Sequence, residues 1–221
     1  MMKIDWDVPI TLADGLVLRA DVFRPVDPGK YPVIISYGPY GKWLHFEDLY
    51  TDQWRRMAEQ HPDVVAGSTN KYQNWEVVDP EKWVPDGYAC VRVDSRGCGR
   101  SPGRVDLWSA QEARDFSECI EWAARQPWSN GKVGANGISY YAMNQWQVAV
   151  LQPPHLAAIC IWEGAADYYR DLSHHGLLCA PPQYCSMLKE HLLKRSQPTM
   201  PFAPGCQPSS LPPNTLRTVC R

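Results

Sequence analysis

The sequence predicts an α/β fold, a mainly parallel sheet with helices on both faces. Three observations carry that expectation. Apolar strand-like runs alternate with helix-period runs through most of the chain. Glycine- and proline-rich turns follow the runs that read as strands. The 221 residues, 44% apolar and 11% aromatic, suit one domain with a sizeable core and exclude global disorder.

The elements follow in order. "VPITLADGLVLRADVFRP" gives two strand-like runs around Ala13-Asp14-Gly15, and Asp-Gly between β-rich runs signals a hairpin. "YPVIISYGPYG" reads as a buried strand ending in a Gly/Pro loop. Residues 44–82 are aromatic and polar, with weak periodicity, and read as one short helix and a long loop. "GYACVRVDSRGCGRSPG" is a strand followed by a glycine-rich turn. In "SAQEARDFSECIEWAARQPW", Ser109 and Glu112 have capping-box spacing. Ala113, Phe116, Ile120 and Ala123 or Ala124 share one helix face, and Pro127 stops the helix. "GKVGANGIS" reads as a strand, "YYAMNQWQVAVLQ" as a helix and "LAAICIWEG" as a strand.

Residues 176–221 differ in composition. They hold eight prolines, four of the eight cysteines and five basic residues against one acid, Glu190. This tail is expected to be mostly irregular, and it suits an alternative reading frame or a mis-spliced end. The domain reading is therefore an α/β core over 1–175 and an atypical Pro/Cys-rich tail over 176–221.

Net charge is −2, which gives no electrostatic footprint for nucleic acid. "MMKIDWDVPITLADG" lacks the apolar block of a signal peptide, and no run reaches membrane-spanning length, so a cytoplasmic protein is expected. Cys90, Cys98, Cys119, Cys160, Cys179, Cys185, Cys206 and Cys220 form no CxxC pair. Neither a zinc site nor a disulfide framework is expected, and Cys90 and Cys160 read as buried free thiols inside strands.

Three stretches carry candidate chemistry. In "GANGISYYAMNQW", Ser139 lies between a strand-like and a helix-like run. A serine at such a turn exposes its hydroxyl above the sheet edge, beside a helix N-terminus that favours negative charge. It keeps the leading glycine of G-x-S-x-G, Gly137, but has Tyr141 where the second would stand. The same serine also suits a simple helix N-cap. "DSRGCGRSPG", Asp94 to Gly103, reads as a compact loop that shapes a site without doing chemistry. In "SYGPYGKW", Tyr40 follows the third strand and could donate to an oxyanion, or simply pack against Trp43.

Taken together, these stretches resemble the α/β-hydrolases of the X-Pro dipeptidyl-peptidase and cocaine-esterase family (CocE/NonD hydrolases). The matching pieces are "DGLVLRADVFRP", "YPVIISYGPYGK", "GYACVRVDSRGCGRSPG", "EARDFSECIEWAARQPWSNGKVGANGISYYA" and "DYYRDLSHHG", in family order over roughly residues 5–175. The resemblance implies Ser139 as nucleophile, with the backbone N–H of Tyr140 and the hydroxyl of Tyr40 as oxyanion donors. Ala142 departs mildly from the final glycine of the family's G-x-S-Y-x-G motif, which the resemblance lays over Gly137 to Ala142. It further implies an acid and a histidine on later strands, a helical cap and a C-terminal jelly roll, none complete here, so the hydrolase core is expected to be C-terminally incomplete.

Asp167, His174 and His175 are too close together to serve as that acid and base; His45, His61 and His155 read as structural or exposed, and His191 falls in the tail. The implied function is a serine hydrolase of ester or X-Pro-type peptide bonds working through an acyl-enzyme. It needs no cofactor and acts on a small-molecule ester or peptide, with no nucleic-acid or membrane partner. The alternatives are a non-catalytic hydrolase-fold fragment or binding module, and a hydrolase completed by a separate polypeptide. An incomplete sheet predicts poor solubility for the chain alone.

Overall fold

The computed structural model describes residues 1–175 and 178–179, with side chains through Asp171. The described fold lies in one compact unit, Met1–Leu178. The tail expected over 176–221 lies outside the described residues, apart from the backbone of Leu178 and Cys179.

The first hairpin joins β1 (Met2–Thr11) to β2 (Val17–Pro25) where Asp-Gly predicts it. Asp14 Oδ1 accepts the Leu16 N–H at 3.0 Å. Gly15 sits at φ 83°, a backbone region open to glycine. The sheet continues through β3 (Tyr31–Gly38), β4 (Ala89–Asp94), β5 (Ser129–Ile138) and β6 (Leu156–Trp162), in the order β1-β2-β4-β3-β5-β6. β1 with β2 and β2 with β4 are antiparallel; the remaining neighbours run parallel. The parallel strands therefore end on one edge, and the loops after β3, β4 and β5 meet there.

Alternation along the strands separates two apolar layers. Ala20, Val22, Val33, Ile35, Tyr37, Val91, Val93, Val133 and Ala135 face the main core. Helix α5 (Ala110–Ala124) presses Phe116, Cys119, Ile120 and Ala123 into it. Phe116 stacks on Tyr37, ring centroids 5.0 Å apart and planes 12° from parallel. Helix α6 (Tyr140–Val150) adds Val148. On the other layer Phe23 and Cys90, register partners on β2 and β4, meet Tyr72, Val78 and Val84.

Ser109 caps α5 as its spacing predicts, Oγ accepting the Glu112 N–H at 3.1 Å. The Glu112 side chain departs from the box: it takes the N–H of Trp108, one residue earlier, at 2.6 Å.

The segment expected as one helix and a long loop holds four short helices: α1 (Phe46–Leu49), α2 (Thr51–Gln60), α3 (Pro62–Val65) and α4 (Pro80–Trp83). Proline sets the breaks. His61 precedes Pro62 and leaves helical geometry at φ −133°, which ends α2, and Pro62 then opens α3. Asp79 caps α4 by accepting the Glu81 N–H at 3.0 Å. Aromatic contacts hold the segment: Trp75 lies 4.2 Å from Tyr50 and 4.7 Å from Phe46 between ring centroids. No helix of the described residues is long and apolar enough to cross a membrane.

One expected thiol is corrected. Cys90 is buried, but Cys160 is exposed, because β6 is an outer strand of the sheet among the described residues and its neighbours Ala158 and Trp162 are exposed too. Burial pushes the Cys90 and Cys98 thiols up to about 12 and the Cys119 thiol well above its ordinary value. Brief alkylation of the native chain with iodoacetamide is expected to modify Cys160 and spare Cys90, Cys98 and Cys119, as read by peptide mass spectrometry. Equal modification of all four would contradict this packing. Phe116→Ala is expected to lower unfolding stability by about 3–5 kcal/mol in urea titration, through lost burial and an unfilled cavity beneath Tyr37.

Candidate active site

Ser139 occupies the single residue between β5 and α6. Its backbone sits at φ 56° and ψ −115°, a region that costs a non-glycine residue about 1–3 kcal/mol and persists only where neighbours enforce it. Those neighbours are identifiable. The Ser139 N–H donates to the Trp162 carbonyl on β6 at 3.0 Å, and the Ile138 N–H donates to the Glu76 carbonyl at 3.2 Å. The Ser139 carbonyl accepts from Ala142 and Met143 at 3.0 and 2.9 Å, starting the helix. The side chain does not cap that helix, so the N-cap explanation of this serine fails.

Small residues let the turn close. A Cβ on Gly137 would collide with Tyr141, and one on Gly38 would come within 2.7 Å of the Tyr141 ring. Ala142, which departs from the expected glycine, is accommodated from the opposite side: a Cβ on Gly164 would lie 2.8 Å from its methyl. The space lost at position 142 is thus recovered at 164. Tyr140 is the first residue of α6, whose opening N–H groups have no intrahelical partner. None of the hydrogen bonds among the described residues uses the Tyr140 N–H.

Tyr40 reaches this turn. Its ring lies edge-on to Tyr140 at 6.0 Å and to Tyr141 at 5.4 Å, rather than against Trp43. The loop behind it is fixed at Lys42. The Lys42 N–H donates to Asp94 Oδ1 at 2.7 Å, and its carbonyl accepts from Asn74 Nδ2 at 2.6 Å. Its ammonium, buried, meets Asp21 Oδ1 at 2.7 Å and Asp7 Oδ1 at 3.2 Å.

Asp94 also binds the glycine-rich loop, Oδ2 accepting the Arg100 N–H at 2.8 Å. Gly99, at φ 54°, passes so close to that carboxylate that a side chain there would strike it. Burial pushes the Asp94 carboxyl up to about 6, against the two N–H donors and Lys42. The 94–103 stretch therefore shapes the site through a buried carboxylate and through glycines.

Behind the turn, Tyr140 Oη donates to Glu112, 2.7 Å from Oε1 and 2.6 Å from Oε2. Both side chains are buried. The Trp108 ring lies 4.9 Å from Tyr140 and 4.5 Å from Tyr168. Burial is the chief cause that raises the Glu112 carboxyl to about 7, and it lifts the Tyr140 phenol well above its usual range. Arg92 holds the neighbouring 72–78 segment, donating to the carbonyls of Tyr72 and Val78 at 2.6 and 2.8 Å.

The structure brings Ser139, Tyr140 and Tyr40 to one place, and the three histidines with described side chains are engaged or placed elsewhere. His155 Nδ1 pairs with Glu121 at 2.7 Å, His61 is exposed at the end of α2, and His45 opens α1. Asp167 is held by Arg170, whose backbone N–H and guanidinium keep its carboxyl below the usual value. The side chains of His174 and His175, and His191, lie outside the described residues. Among the described residues no three His, Cys, Asp or Glu side chains gather as a metal would require. Glu112 and Lys42 were not singled out for the site. Local spacing announces Glu112 only as a helix-start residue, since its partner Tyr140 is 28 residues away.

Comparison with known proteins agrees with this architecture. The family model of the X-Pro dipeptidyl-peptidases (S15 family) matches residues 14–202. The cocaine esterase of Rhodococcus sp. is 34% identical over 164 residues, 74% of this chain and 24% of its own length. An Xaa-Pro dipeptidyl-peptidase of Streptococcus pneumoniae is 22% identical over 207 residues, 76% of this chain and 27% of its own. A CocE/NonD family hydrolase from Staphylococcus aureus superposes with a TM-score of 0.75 at 38% identity, covering 88% of this chain and 33% of that one. The chain thus spans about a quarter of the length of these curated relatives. With the strand order, the serine turn and the family match in agreement, the chain belongs to the X-Pro dipeptidyl-peptidase (S15) family of α/β-hydrolases.

Proposed function

We propose that this chain carries the nucleophile and oxyanion half of a serine hydrolase that cleaves small ester or X-Pro-type peptide substrates. The observation that carries this reading is Ser139 itself, held in a strained turn at a helix N-terminus with its hydroxyl uninvolved in capping. Evolved turns keep such strain at sites of function. Ser139 Oγ would attack the substrate carbonyl carbon, its proton passing to a base. The Tyr140 N–H and Tyr40 Oη would receive the oxyanion. Collapse would expel the alcohol or amine with that proton, and water would then release the acyl group from Ser139.

The base and its orienting acid are to be sought outside the described side chains, within the full relative's length or on a separate polypeptide. A second reading, a non-catalytic hydrolase-fold module, is favoured by one observation: His155 is committed to Glu121, and no described histidine bonds to Ser139.

Covalent labelling with a fluorophosphonate separates the two. Labelling at Ser139, lost in Ser139→Ala, is the outcome expected of the hydrolase; a folded chain that takes no label would establish the module. In a labelling chain, Tyr40→Phe is expected to slow the reaction by about 10²-fold, the scale of one lost oxyanion donor. Turnover of a p-nitrophenyl ester against an X-Pro p-nitroanilide then reports the substrate class.

A further inference from the structure

We propose that Glu112 is a positioning residue for the candidate oxyanion hole. Its carboxylate, itself held by the Trp108 N–H, grips Tyr140 Oη and so fixes the first residue of α6, whose N–H would meet the oxyanion. The inference rests on the serine-hydrolase reading of Ser139.

The geometry is that of a built contact. Tyr140 is 3% exposed and Glu112 6% exposed, so neither group exchanges its partner for water at low cost. The Tyr140 ring is braced by Trp108 and Tyr40, which leaves the phenol oxygen to set its depth. Glu112 is in turn set by the capped first turn of α5. A side chain 28 residues away from Tyr140 thereby ties the first turn of α5 to the turn between β5 and α6.

Ionisation governs the grip. Deprotonated, the carboxylate accepts from Tyr140 Oη and the Trp108 N–H together; protonated, one oxygen becomes a donor and the pair must rearrange. The groups facing Glu112 are Tyr140 from α6, Asp115 on α5, Asp106 from the loop before it, Cys98 from the glycine-rich loop and Tyr37 from β3. Burial, Asp115 and Asp106 hold the carboxyl up at about 7 from an ordinary 4.5, while Tyr140 and Trp108 pull it down. Because the folded value is raised, the stability this group contributes is full below about 4.5 and is lost as pH rises through about 7. The full grip on Tyr140 forms over that same rise, so hydrolytic competence is expected to increase as stability from this group declines.

The test uses the full chain with ¹⁵N-labelled tyrosine, the Tyr140 amide being assigned by its loss in Tyr140→Phe. The amide resonance is expected to titrate with a midpoint near 7 in the wild type and to stop titrating in Glu112→Gln. Fluorophosphonate labelling of Ser139 is expected to slow about tenfold in Glu112→Gln and in Tyr140→Phe, the scale of a displaced catalytic group.

An amide that ignores pH between about 5 and 9 overturns the inference, as does one that still titrates in Glu112→Gln. Labelling of Tyr140→Phe at the wild-type rate does the same. If Glu112→Gln does not fold, the wild-type titration and Tyr140→Phe decide the matter. A chain that takes no label while its Tyr140 amide titrates with Glu112 overturns the hydrolase reading alone and supports the coupling.

Discussion

The Asp94 carboxylate stands beneath the loops after β3 and β4, one oxygen on the Lys42 N–H and the other on the Arg100 N–H. Both loops rise from the same edge of the sheet, where Gly38 and Asp94 are register partners. A buried carboxylate with two N–H donors is a stronger tie than a neutral hydrogen bond, and far costlier to leave with one donor. The rest of the site depends on it. Lys42 fixed at its N–H, carbonyl and ammonium leaves Tyr40, two residues earlier, little freedom to leave the Ser139 turn. The opposing pressures on Asp94 show in its raised carboxyl, where burial outweighs the donors.

Position 142 shows how a motif can shift without losing its geometry. The family pattern asks for glycine there, and this chain has alanine. The constraint is volume rather than identity. Gly164, after β6, leaves room for the extra methyl, while Gly137 and Gly38 keep room for Tyr141. Small residues from the ends of three strands share one packing problem.

How much of this was legible in the sequence follows from the range of each interaction. The β1–β2 hairpin, the strands and the apolar face of α5 depend on neighbours a few residues apart, and periodicity and turn chemistry reveal them. The position of Ser139 between a strand and a helix was legible because that turn is also local, though its freedom from capping was not. The segment holding α1 to α4 was under-read, since its breaks come from prolines inside a stretch of weak periodicity and its cohesion from ring contacts between Phe46, Tyr50 and Trp75. Cys160 misled because an apolar run looks the same on an inner strand and an outer one. The Glu112–Tyr140 bond was invisible, because the capping-box spacing already explained the glutamate.

The hydrogen bond from Ser139 to the Trp162 carbonyl has a mechanical consequence. β6 has one strand partner among the described residues, and outer strands fray before inner ones. The strained serine therefore leans on an outer strand of the sheet. Opening of β6 would release this hydrogen bond and with it part of what enforces the strained turn. A further strand laid along β6 would quiet that motion without touching the serine, giving the sheet's margin control over its centre.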